Sequence, residues 1–185
     1  MATSAAEVIR PLRRAEYDQL VALGAFQDER IELLDGELVA MSPIGEPHDW
    51  AVQELNELLV LALHGRAKVR CQQSFAANEL SEPEPDFTVV PRTNDIAHPS
   101  QAYLVIEVAE SSLAKDRGRK LRRYAGCAIP EYWVVNLTES CVEVYTEPAP
   151  GSYARLERYE RGQSISLKAF PDVSIAVSAV LSPTA

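Results

Sequence analysis

Tyr103-Leu104-Val105-Ile106 is an unbroken apolar run that stops at a carboxylate, Glu107. A strand of this kind has no polar side to offer water, so it reads as the central strand of a sheet, buried on both faces. An ionised glutamate at its end is costly to desolvate unless cations or hydrogen-bond donors compensate it. Glu107 therefore needs a reason to be where it is.

The flanking segments supply the layers such a strand requires. Tyr17, Leu20, Val21 and Leu23 predict a short helix ended by Gly24, after an arm, residues 1–12, without periodicity. IELL and ELVAM then flank Asp35-Gly36, a dipeptide that accepts the positive φ angles of a tight hairpin turn. Opposing these strands puts Ile31, Leu33, Leu38 and Ala40 on one face and Glu32, Leu34, Glu37, Val39 and Met41 on the other, so the two glutamates share a face. Pro47 opens a helix with the stripe Val52, Leu55, Leu59 and Ala62, headed by His48 and running to about Gly65. Strands are expected at about 68–76 and 86–90. A helix over 113–127 carries Leu121, Tyr124, Ala125 and Ala128, and Pro130 stops it before the strand Tyr132-Trp133-Val134-Val135. Val142 to Tyr145 and Tyr153 to Tyr159 add strands, and AVSAVL adds one or two helical turns. The central order helix, strand, strand, strand, helix, strand predicts an α/β (α+β) fold, a mixed sheet flanked by helices.

With 185 residues, 46% of them apolar, the chain suits one domain spanning 1–185. Cys71, Cys127 and Cys141 are odd in number and lack zinc-ligand spacing, which fits a reduced, cytoplasmic setting. No run approaches the roughly 18 apolar residues of a membrane span, and no membrane partner is expected. The net charge of −9 argues against indiscriminate nucleic-acid binding, so any contact with DNA must be local.

Asp86 opens the strand before the central one, directly after Pro85. If the two strands pair, Asp86 and Glu107 can converge at one sheet end, and two hard oxygen ligands plus waters suit Mg²⁺ or Mn²⁺ better than zinc. Asp86 is equally readable as a strand-capping acid, and Glu107 as the partner of a buried cation such as Arg117. On the following helix, steps of about 100° per residue put Lys120 about 80° from the centre of the apolar stripe. Arg117 falls within the stripe, whereas Lys115, Arg119, Arg122 and Arg123 fall on the outer side.

Pro85-Asp86, then a strand ending in Glu107-Val108-Ala109, resembles the signature of the PD-(D/E)XK nuclease superfamily. The segments ERIELLDGELVAMSPIGEPH, PDFTVV, VIEVAESSLAKDRGRKLRRYAGCAIPEYWVVN and VEVYTEP, spanning most of 29–147, resemble its Uma family of proposed restriction endonucleases. Alanine stands where the signature has lysine, and the family places that lysine on the next helix, at Lys120. Glu110 and Asn136 also depart from the family, where serine and aspartate are usual.

The resemblance implies a restriction-endonuclease-like core and Mg²⁺- or Mn²⁺-dependent hydrolysis of DNA. It implies that Asp86, Glu107 and the Val108 carbonyl hold metal, and that Lys120 positions water and offsets charge. Glu32 and Glu37 are candidate additional acids, with a solvent-facing strand pair as the alternative. His48 and Arg117 are candidates for a supporting or phosphate contact. A homodimer is expected, since cutting both strands of a duplex commonly takes two sites. The competing reading is a catalytically inactive nuclease fold that binds nucleic acid or protein.

Overall fold

The computed structural model describes residues 9–182. Helix α1 (Arg14–Ala22) precedes a hairpin of β1 (Ile31–Leu34) and β2 (Glu37–Ala40), and α2 (Glu46–Leu63) follows. Asp35 and Gly36 take φ angles of 54° and 79°, the left-handed pair that a two-residue turn demands. Ile31 faces Ala40 and Glu32 faces Val39, so Glu32 and Glu37 share a face as their alternation predicts. Gly36 is needed for a second reason: a Cβ there would meet the Pro11 Cβ at 2.3 Å. Its carbonyl accepts the Leu12 N–H at 2.9 Å, so the end of the expected arm packs on the turn. Residues 1–8 of that arm lie outside the described residues.

Next come β3 (Lys68–Cys71), β4 (Phe87–Val90), β5 (Leu104–Ala109), β6 (Glu131–Asn136), β7 (Cys141–Ala149) and β8 (Ser152–Glu160). They form one six-stranded sheet in that spatial order. Only β5 and β6 are parallel; the other neighbours are antiparallel. Every residue of β5 and β6 is buried, as the apolar run requires. A parallel step needs a crossover, here α3 (Leu113–Lys115), a π-helical turn (Asp116–Lys120) and α4 (Leu121–Gly126). The expected strand at 68–76 stops at Cys71 because Gln72 turns left-handed, φ 49°, and gives its N–H to the Asp86 carbonyl at 3.0 Å.

Two cores sandwich the sheet. On one side Ala51, Leu55, Leu59 and Leu63 of α2 pack with Phe87, Val89, Ile106 and Trp133. A hairpin absent from the sequence reading, β9 (Ser164–Leu167) with β10 (Phe170–Ala176), completes this side together with α5 (Val177–Val180). On the other side Leu121, Tyr124 and Ala125 of the crossover meet Val105, Tyr132, Val134, Tyr145 and Tyr153. Burying each such side chain contributes about 1.5–3 kcal/mol, so the crossover is held firmly over β5 and β6. Among the described residues no helix is long and apolar enough to cross a membrane.

Candidate active site

β4 and β5 pair with Phe87 opposite Ile106. Carried one residue further, that register sets Asp86 against Glu107, and facing residues of an antiparallel pair project to the same side of the sheet. That side is the one the crossover covers. Asp86 Oδ2 accepts the Val108 N–H at 2.8 Å, and Oδ1 lies 3.3 Å from Gln72 Nε2 and 3.3 Å from His48 Nε2. Glu107 Oε1 accepts from Lys120 Nζ at 3.0 Å and from the Tyr124 hydroxyl at 2.7 Å.

Lys120 owes its position to the π turn. Four residues of α-helix overshoot a full turn by about 40°, so a row at four-residue spacing drifts off one face. The wider π winding cancels that drift, and Asp116, Lys120 and Tyr124 are all buried on the sheet side. The hairpin then supplies Glu32, which is completely buried. Its Oε1 accepts from Lys115 Nζ at 2.8 Å, and its Oε2 lies 3.3 Å from Lys120 Nζ. Asp86, Glu107, Lys115 and Lys120 border a cleft of about 60 Å³, lined also by His48, Glu84, Val108, Glu110 and Asp116. Such a volume holds a few waters or a partly hydrated ion, and not a nucleobase.

Burial opposes ionisation of each acid here, and the neighbouring lysines, His48 and a backbone N–H decide which stays charged. Against burial, Lys120 and Lys115 hold Glu32 below its ordinary value. Asp86 is also held low, its burial outweighed by His48, the Val108 N–H and Lys120. His48 in turn is raised, because Asp86 outweighs the effect of burial on the ring. For Glu107 burial wins over Lys120, and with Asp116, Asp86 and Glu32 nearby its pKa is pushed up to about 8. Burial likewise raises Asp116, against Lys120 and Ser112. Burial disfavours the charge on Lys120, but Glu107, Glu32 and Asp116 together hold it well above its ordinary value. The cleft thus has more carboxylate than its lysines neutralise. Acids that burial holds protonated until a cation displaces the proton, all with hard oxygen donors, fit a hard divalent cation, Mg²⁺ or Mn²⁺.

The Uma2 family model, described as "Putative restriction endonuclease", matches residues 14–178. The chain belongs to the Uma2 family. A crystal structure from Anabaena variabilis, described as a putative nuclease belonging to DUF820, superposes with a TM-score of 0.67. The match covers 92% of this chain and 97% of that one at 14% identity, so the likeness speaks to the fold alone. No curated protein matches the chain.

On this Uma2 fold, Asp86, Glu107, Val108, Lys120 and His48 come together at the cleft. Glu32 joins them through Lys120, whereas Glu37 does not. Glu37 sits at the turn end of the hairpin, exposed, and accepts from Arg119 at 2.6 Å. Arg117 is not at the cleft either; the π turn swings it towards β7, where it pairs with Glu143 and Glu139. Lys115, placed outside by uniform helical winding, instead reaches inward to Glu32. Glu139, Cys141 and Glu143 form a second acid-rich group near Arg117, but Arg117 and Arg158 already neutralise it. The sequence reading missed Asp116, Glu84, Gln72 and Tyr124. The signal for Asp116 and Tyr124 was their four-residue spacing from Lys120, visible only once Lys120 is known to face inward.

Proposed function

We propose that this Uma2 protein is a nuclease that hydrolyses DNA phosphodiester bonds with Mg²⁺ or Mn²⁺. The observation that carries the reading is the pairing of Asp86 with Glu107 on one face of the sheet, with Lys120 bonded to Glu107. Asp86, Glu107 and the carbonyl of Val108 would hold the cation. Bound there, it supplies a Lewis acid that polarises a phosphate oxygen and makes water more acidic.

The protein's own groups account for the rest. The Val108 N–H and His48 fix the Asp86 carboxylate, and Tyr124 fixes that of Glu107, so neither acid needs to reorganise during reaction. Lys120 keeps its proton and its charge between Glu107 and Glu32, ready to offset charge that develops on the phosphate. The small cleft admits the scissile phosphate region and leaves the bases outside.

Calorimetric titration with Mn²⁺ tests the reading, on wild type and on Asp86→Asn, alongside cleavage of plasmid DNA. Ion binding and cleavage that both vanish in Asp86→Asn are expected. Wild type that binds no divalent ion and cuts no DNA overturns it. Alanine at position 109 and the net charge of −9 favour the other reading, a nuclease fold retained for binding; that protein would bind its partner equally well as Asp86→Asn. The proposal includes one catalytic domain per chain, acting as a homodimer in the cytoplasm. Sedimentation showing a monomer at tens of micromolar removes the dimer.

A further inference from the structure

We propose that Asp116 gives the cleft a second divalent-cation position, linked to the first through Glu107. The inference rests on the reading that Asp86 and Glu107 hold one such ion. Asp116 is 1% exposed and lies in the π turn, one four-residue step before Lys120. Its Oδ2 accepts from the Ser112 hydroxyl. Its Oδ1 is buried and has no hydrogen-bond partner, and the residue lines the same cleft as Asp86 and Glu107.

A purely structural acid at this depth would bind through both oxygens, because an unpaired buried acceptor costs about 1–3 kcal/mol, more when charged. The nearby cations do not fill the role. Lys120 is committed to Glu107 and Glu32, and Lys115 to Glu32. Glu107 also has an oxygen to spare: both of its hydrogen bonds fall on Oε1, leaving Oε2 without a protein donor among the described residues. Two carboxylates bordering one small cleft, each with an oxygen uncommitted, are the donor set of a hard cation. Glu107 would then serve both positions as their shared acid, the arrangement in which two such ions act together on one phosphate.

The test uses the full chain and Mn²⁺ alone, without nucleic acid. Calorimetry on wild type is expected to show two ions, and paramagnetic resonance of the loaded protein the spectrum of a spin-coupled Mn²⁺ pair. Asp116→Asn, which keeps the shape and can still accept from Ser112, is expected to bind one ion with the affinity of the tighter site and to show an uncoupled spectrum. If Asp116→Asn is too unstable to titrate, Asp116→Cys is used instead. A thiolate there is expected to turn the second position from Mn²⁺ to Cd²⁺, and unchanged preference overturns the inference. A wild type that binds one ion, lost in Asp86→Asn and kept in Asp116→Asn, overturns the second position and leaves the nuclease reading standing. A wild type that binds none removes both.

Discussion

Among the described residues Lys120 is the one ammonium shared by Glu107, at 3.0 Å, and Glu32, at 3.3 Å. Removing one partner of a buried charge pair typically costs about 3–5 kcal/mol, so Lys120→Ala should lower the denaturation midpoint markedly. Under conditions where it is folded, kcat for DNA cleavage should fall by orders of magnitude with little change in KM, since the charge acts on the transition state. Arg122→Ala, exposed on the same helix, should leave both unchanged; equal losses would remove the role assigned to Lys120. Lys115 is no control, because it holds Glu32.

Arg117 allows a separate test, away from the cleft. Although burial pushes the other way, its hydrogen bonds, with those of Tyr145 and Asn136, hold Glu143 below its ordinary 4.5. The folded carboxyl then takes up its proton less readily than the unfolded one. Its stabilising contribution is complete above the unfolded value and is lost as pH falls through the folded one. Arg117→Ala should therefore destabilise most at neutral pH, by about 1–2 kcal/mol, less than for a fully buried pair because water screens the partly exposed guanidinium, and least in acid, with Mn²⁺ binding unaltered. A loss of the same size at both pH values would show that packing, not charge, is what Arg117 contributes.

At the scale of elements the π turn decides the site. Gly118 sits inside it with an ordinary φ, and an added Cβ would meet only the Arg122 side chain, at 3.9 Å. Alanine is favoured over glycine in a helix interior by about 1 kcal/mol. Gly118→Ala should thus raise the melting temperature and leave Mn²⁺ binding intact; lost binding would mean that the wider winding depends on glycine. The same element marks the limit of what the sequence discloses. Strand β5 and its Glu107 are legible because an apolar run ending in an acid has few other meanings, and Pro85-Asp86 announces the strand that pairs with it. Uniform winding has no place for extra residues in a turn, so it leaves Lys120 at the stripe's edge and turns Asp116 about 120° away from the stripe centre. Alternation puts Glu32 and Glu37 on one face but does not say that only the end beneath the crossover is covered. The β9–β10 hairpin is too short, and too interrupted by Pro171-Asp172, to stand out.

Across the whole molecule, the nuclease proposed above is acidic overall, and one edge of its sheet is where it offers a polyanion a cationic surface. Lys68, Arg70 and Arg92 line two adjoining depressions beside β3 whose walls contain no carboxylate, and β3 leads directly to Gln72, next to Asp86. Replacing all three by alanine should weaken DNA binding at every sequence and flatten its salt dependence, by up to about three units of log–log slope, with kcat unchanged. An unaltered slope would place the DNA elsewhere. The β1–β2 hairpin is built differently: it lies outside the six-stranded sheet, touching the rest of the chain through one β-bridge, Leu33 to Glu82, among the described residues, and otherwise through turn and side-chain bonds such as Gly36 N–H to the Leu80 carbonyl at 2.7 Å and Glu32 to Lys115. Glu107 and Lys120 are 13 residues apart, whereas Glu32 and Lys115 are 83 apart. Closing the longer loop costs more chain entropy, so the crossover pair can form early while Glu32 docks after the rate-limiting step. Glu32→Gln should accordingly leave the folding limb of the chevron in place and raise the unfolding limb; slowed folding would reverse that order. The last acid to arrive would then set the lifetime of the assembled site.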